Sequence, residues 1–78
     1  MTDARPLFVI ARDIRDHWKN ISPHAAPYLY AMSVISRITD HYYYDTGEHV
    51  VAYFLANASG WRGPEARRLK AELKALLR

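Results

Sequence analysis

The sequence predicts an all-α domain, a compact bundle of four short helices. Three observations carry that expectation. Apolar residues recur at spacings of three and four in four separate stretches, the period of a helix with one buried face. Between those stretches stand prolines and glycines, placed where helices start and stop. No four-residue alternation stands outside the helical pattern, so no strand is expected. With 78 residues the chain makes one domain, 1–78, and not two.

The first helix is expected over 6–20. Leu7, Ile10, Ala11, Ile14 and Trp18 share one face, and Asp3 is placed to cap the orphan N–H groups. Ser22-Pro23 and Pro27 then interrupt the chain, because an interior proline loses a hydrogen bond and clashes with the preceding turn. The second helix is expected over 27–39, with Leu29, Met32, Ile35 and Ile38 inward and Tyr28 and Ala31 beside them. Asp45-Thr46-Gly47-Glu48 has capping-box character, so the third helix is expected over 46–58. Its face is Val50, Val51, Phe54, Leu55 and Ala58. Ser59-Gly60 is expected to stop it, with Gly60 in the left-handed conformation that helix ends favour. Gly63-Pro64 opens the fourth helix, over 64–77, because proline suits the first helical position. Ala66, Leu69, Leu73, Leu76 and Leu77 form its buried stripe.

Composition narrows the function. Half the residues are hydrophobic, which argues for a core. Cysteine is absent, so neither a disulfide framework nor a cysteine zinc site can form. No apolar run reaches the roughly 18 residues of a membrane span, and the N-terminus lacks a signal-peptide core. A cytoplasmic protein without a membrane role is the expectation. No serine stands in a nucleophile elbow, and Gly60 and Gly63 lack the Lys-Ser/Thr of a phosphate-binding loop. Asp40, His41, Asp45 and His49 are the best metal constellation, yet they lack a ligand spacing and read as surface residues. The expectation is a protein that is not an enzyme and holds no metal or cofactor.

Two features point to binding. The first is the tyrosine content. Tyr28, Tyr30, Tyr42, Tyr43 and Tyr44, with Tyr53, gather around the second helix and its exit. Three consecutive tyrosines cannot all point inward, and tyrosine is enriched at interfaces. These residues are the candidate protein-binding surface, for a protein partner or for a second copy in a homodimer. The second feature is charge. The net charge is +3, and after Gly60 the residues Arg62, Arg67, Arg68, Lys70, Lys74 and Arg78 face only Glu65 and Glu72. A nucleic-acid-binding helix is the alternative reading, with Arg62, Arg67, Arg68, Lys70 and Lys74 on phosphates. Against it, the helix start offers Pro, Glu and Ala and not a set that reads base edges.

The segments P-Y-L-Y-A-M at Pro27–Met32, Y-F-L-A-N-A-S-G-W-R-G-P-E-A-R-R-L-K-A-E-L at Tyr53–Leu73 and D-H-W-K-N at Asp16–Asn20 carry a resemblance. The chain resembles a group of short all-α proteins of phages and high-GC Gram-positive bacteria. The W-R-G-P-E-A-R piece, Trp61–Arg67, is its most specific part. The group brings no catalytic residue. The resemblance implies a small accessory protein that binds a host protein.

Trp61 lies between the third and fourth helices and is expected to wedge them together, with Trp18, Phe54 and Leu69 nearby. Trp61→Ala should then cost about 3–5 kcal/mol, a large part of what a small domain has. Thermal melting is the check, and an unchanged midpoint would make Trp61 a surface anchor.

Overall fold

In the computed structural model, which describes residues 4–77, four helices enclose one apolar core. They are α1 (Leu7–His17), α2 (Ala26–Met32), α3 (Gly47–Ala56) and α4 (Pro64–Leu76). Helix α1 packs against both α2 and α4, and α2 packs against α3. The domain measures 31 × 28 × 19 Å. The apolar stripes point inward: Leu7, Ile10, Ala11, Ile14 and Trp18 from α1 and its end, and Leu29, Ala31 and Met32 from α2, are buried. Val50, Val51 and Phe54 join them from α3, with Ala66, Leu69 and Leu73 from α4. Leu55, Leu76 and Leu77 lie at the core margin, only partly buried.

Trp61 is buried and lies flat on Trp18, with ring centroids 5.2 Å apart and an interplanar angle of 6°. Phe54 meets Trp18 edge-on at 6.1 Å. Aromatic pairs of this kind add about 0.5–1.5 kcal/mol beyond their buried area. The stack fastens the 57–63 connector onto the end of α1. Arg5 makes a second tie. Its guanidinium donates twice to Glu72 on α4, at 2.8 and 2.6 Å, and once to Asp13 on α1, at 2.8 Å. The forked geometry holds α1 and α4 in register at the surface.

Several sequence expectations need correction. Helix α2 ends at Met32 and not at residue 39. The stretch that follows, Val34 to Thr39, is rich in β-branched residues, which are poor helix formers. Asp40 also turns back on it. One carboxylate oxygen accepts from the backbone N–H of Ser36 and of Arg37, each at 2.9 Å. Those two bonds, Arg37 first, hold the Asp40 carboxyl below the usual carboxylate range. The freed carbonyls are used elsewhere. Ile35 and Ser36 accept from the first N–H groups of α1, Phe8 at 3.1 Å and Leu7 at 2.9 Å. Ile38 and Asp40 accept from the first N–H groups of α3, Glu48 at 2.9 Å and Gly47 at 2.7 Å. Among the described residues no side chain caps α1, whose N-cap is Pro6; Asp3, expected there, lies outside them.

A strand pair was not expected, and one forms. β1 (His41–Tyr42) and β2 (Asp45–Thr46) pair antiparallel, with His41 opposite Thr46 and Tyr42 opposite Asp45. The cap of α3 is Thr46, whose hydroxyl accepts from His49 N–H at 3.3 Å, and not Asp45. Helix α3 ends at Ala56 with Asn57 as its cap, and the left-handed glycine is Gly63, at φ 111°, where α4 begins. Gly60 does not have a positive φ. Helix α1 likewise stops at His17, short of residue 20.

Gly47 sits where α3 meets the 37–40 segment. A Cβ there would lie 2.5 Å from the Arg37 carbonyl oxygen and 2.8 Å from Ile38 Cα. Both are backbone atoms and cannot rotate away. Gly47→Ala is therefore expected to destabilise by about 1–3 kcal/mol, although alanine is the better helix former. Urea denaturation measures this, and an unchanged midpoint would mean that the contact relaxes without cost.

Candidate functional site

The predicted tyrosines divide into two groups and one outlier. On the outer side of α2, Tyr30 meets Tyr42 at 6.4 Å, and Tyr42 meets Tyr43 edge-on at 4.8 Å. This group joins α2 to the hairpin. Tyr28 instead pairs with Tyr53 of α3 at 5.4 Å, and His49 lies 6.2 Å from Tyr53. Tyr44 stands alone. It is 101% exposed, Tyr43 is 82% exposed, and Tyr30 and Tyr53 are about half exposed. Tyr28 and Tyr42 are half-buried. Partial burial, followed by the neighbouring Tyr43 and Tyr30, pushes the Tyr42 hydroxyl above the ordinary tyrosine range.

Tyr43 and Tyr44 are the two turn residues of the hairpin. Tyr43 has φ 57°, and it is the one non-glycine residue with positive φ among the described residues. Positive φ at the first turn residue alone is the pattern of a type II′ turn, where glycine is usual. A side chain at that φ costs about 1–2 kcal/mol. The chain thus holds an exposed ring at a position that backbone sterics would give to glycine. Sequence reasoning missed this, because Tyr-Tyr carries none of the usual turn signals. It also passed over the exposed Val34, 54% accessible, and Phe8, 39% accessible.

The basic residues separate by face. Arg62, Arg67, Lys70 and Lys74 line a concavity of about 400 Å³ between the 59–63 segment, which carries Arg62, and α4, which carries the other three. Arg68 does not line it; its guanidinium is forked onto Glu65. Arg78, expected to extend the basic face, lies outside the described residues. Lys70 Nζ donates to the Trp61 carbonyl at 2.7 Å and lies 6.0 Å from the indole centroid. Burial, then Lys74 and Arg62 nearby, pushes the Lys70 ammonium below its ordinary pKa. Among the described residues no carboxylate lines the concavity.

Asp40, His41, Asp45 and His49 are not assembled into a metal centre. Among the described residues no three His, Asp or Glu side chains are grouped to hold an ion. No helix among them is long and apolar enough to cross a membrane. No protein-family model, no curated protein and no solved structure matches the chain.

The turn geometry gives a stability prediction. Tyr43→Gly relieves the positive φ and loses one edge-on ring contact. We expect a net gain of roughly 0.5–1 kcal/mol. A thermal midpoint lower than that of the wild type would show that the Tyr42–Tyr43 contact outweighs the backbone strain.

Proposed function

We propose that this chain is a small non-enzymatic accessory protein that works by binding another protein through the tyrosines of its hairpin and α2. One observation carries the reading: Tyr43 and Tyr44 are held out in water at a turn whose backbone favours glycine. Natural proteins keep such local strain mainly where it serves a site. Tyrosine also suits the role, offering a large rigid face and a hydroxyl tip at low entropic cost. Tyr30 and Tyr42 continue the surface behind the turn, and the exposed Val34 lies just beyond the end of the same helix. The resemblance to short phage proteins makes a protein of the host cell the partner class to seek first. A second copy of this chain is the other occupant such a surface admits.

The test uses wild type and a Tyr43→Gly/Tyr44→Ser variant, which the turn geometry expects to stay folded. Circular dichroism confirms the fold of both. Each is then immobilised and challenged with lysate of the native cell, with bound proteins quantified by mass spectrometry. The proposal expects at least one specifically retained protein to fall tenfold or more on the variant. Light scattering covers self-association: a wild-type dimer that the variant lacks would make the partner a second copy. If every retained protein binds both forms equally and both are monomers, the tyrosine surface is not the functional one.

A further inference from the structure

The concavity beside α4 shares no residue with the tyrosine surface. Its lining brings four cations together: Arg62 from the connector, and Arg67, Lys70 and Lys74 from α4. On a helix these last three stand at i, i+3 and i+7, a row about 10 Å long on one face. The two acids of the same helix are engaged away from it. Glu65 is paired with Arg68, and Glu72 with Arg5. Among the described residues the groove is therefore a strip of like charge with no internal counter-ion. Lys70 is also fixed in place, because the Trp61 carbonyl takes one of its N–H groups and Trp61 is itself stacked in the core.

We infer that this groove binds the phosphate backbone of double-stranded nucleic acid, with Arg62, Arg67, Lys70 and Lys74 as its phosphate contacts. Three features select that ligand. A row of about 10 Å fits successive phosphates along a strand, whereas one phosphate ion would leave most of the row unmatched. The remaining lining is Ser59, Trp61, Gly63, Ala66 and Ala71, which offers no Asn, Gln or acidic side chain for base edges. With the four cations engaged on phosphates, binding is expected to discriminate little between sequences. Single strands are held chiefly by stacking their bases on open aromatic rings. Trp61 is only 5% exposed and already covered by Trp18, so it is no platform, and the duplex backbone is the ligand that charge alone can hold.

Fluorescence anisotropy with a labelled duplex, in two unrelated sequences, and with one labelled single strand, over about 50–200 mM salt tests the proposal. Four phosphate contacts give a slope of log K against log salt of about −3.6. We expect both duplexes to bind alike with a slope between about −3 and −4. Arg67→Gln/Lys74→Gln, both at exposed positions, should flatten the slope by about two and weaken binding at low salt at least tenfold. Arg62→Gln, outside the helix, should flatten it by about one, and the charge-retaining Arg67→Lys/Lys74→Arg variant should restore it. Arg12→Gln/Arg15→Gln removes a basic pair on α1 and should leave the slope unchanged. No binding by the wild type at the lowest salt overturns the proposal. So does equal loss in the α1 variant, which would mean diffuse charge, or a strong preference for one duplex sequence or for single strands. None of these outcomes bears on the tyrosine surface, whose variant keeps all four cations.

Discussion

The fold depends on how one irregular segment spends its backbone carbonyls. Residues 35–40 leave the helical path after α2 and supply acceptors to the starts of two other helices. The first N–H groups of a helix have no partner within it, and most helices satisfy them with a side chain or water. Here Ile35 and Ser36 satisfy α1, while Ile38 and Asp40 satisfy α3. Had α2 continued to residue 39, carbonyls such as those of Ile35 and Ser36 would have been taken by N–H groups four residues on. The shortness of α2 and the capping of α1 and α3 are thus one arrangement. Gly47 makes it sterically possible, because only a residue without Cβ lets α3 approach the Arg37 and Ile38 backbone so closely.

This arrangement explains which parts of the fold were legible in the sequence. The helical stripes were, since each is a local period with a strong burial signal: Leu7, Ile10, Ala11 and Ile14 lie inward as their spacing requires. The Trp61 wedge was legible in part, because its place between two helix signals implied a packing role. Trp18 was expected beside it, but the flat stack of the two rings across 43 positions of chain needed the fold. The end of α2 was not legible. Ile35 and Ile38 kept the helical spacing, and the competing demand came from N–H groups nearly thirty residues earlier. The hairpin was hidden for a different reason. Two-residue strands carry too few positions to show alternation, and Tyr43-Tyr44 replaces the glycine or asparagine that would mark the turn. Gly60 and Gly63 misled each other: both stand near a helix boundary, and only the second needs positive φ.

The core and the surface chemistry meet at Trp61. Its ring is stacked inside, and its carbonyl faces out to take the Lys70 ammonium. Burying the indole therefore sets the position of a charge on the neighbouring helix. Packing defects at Trp18 or Trp61 are expected to reach the basic groove through this contact, without touching a groove side chain. The tyrosine surface has a comparable support. Tyr42 is half-buried against Tyr30 and stands behind Tyr43, so the exposed ring rests on one fixed by α2.

Charge in the last third of the chain looks uniform in the sequence and is not uniform in space. Six cations against two acids, after Gly60, read as a basic helix with a diffuse surplus. The folded chain sorts them. The Glu65–Arg68 pair is local, three residues apart, and could be anticipated from helical geometry. The Arg5–Glu72 pair spans 67 residues, and only the packing of α1 against α4 brings it about. Helical spacing puts Glu65 and Glu72 on the face of α4 opposite Arg67, Lys70 and Lys74, and both are paired there. The exposed Glu65–Arg68 pair adds little stability, typically under about 1 kcal/mol. The larger effect of the two pairs here is on the field, because each neutralises an acid whose charge would otherwise weaken the positive potential around the groove. A modest net charge of +3 can in this way present a local cluster of four positive groups with no carboxylate lining it among the described residues. Total charge is therefore a poor guide to whether so small a domain meets a polyanion, and the placement of its few acids is the better one.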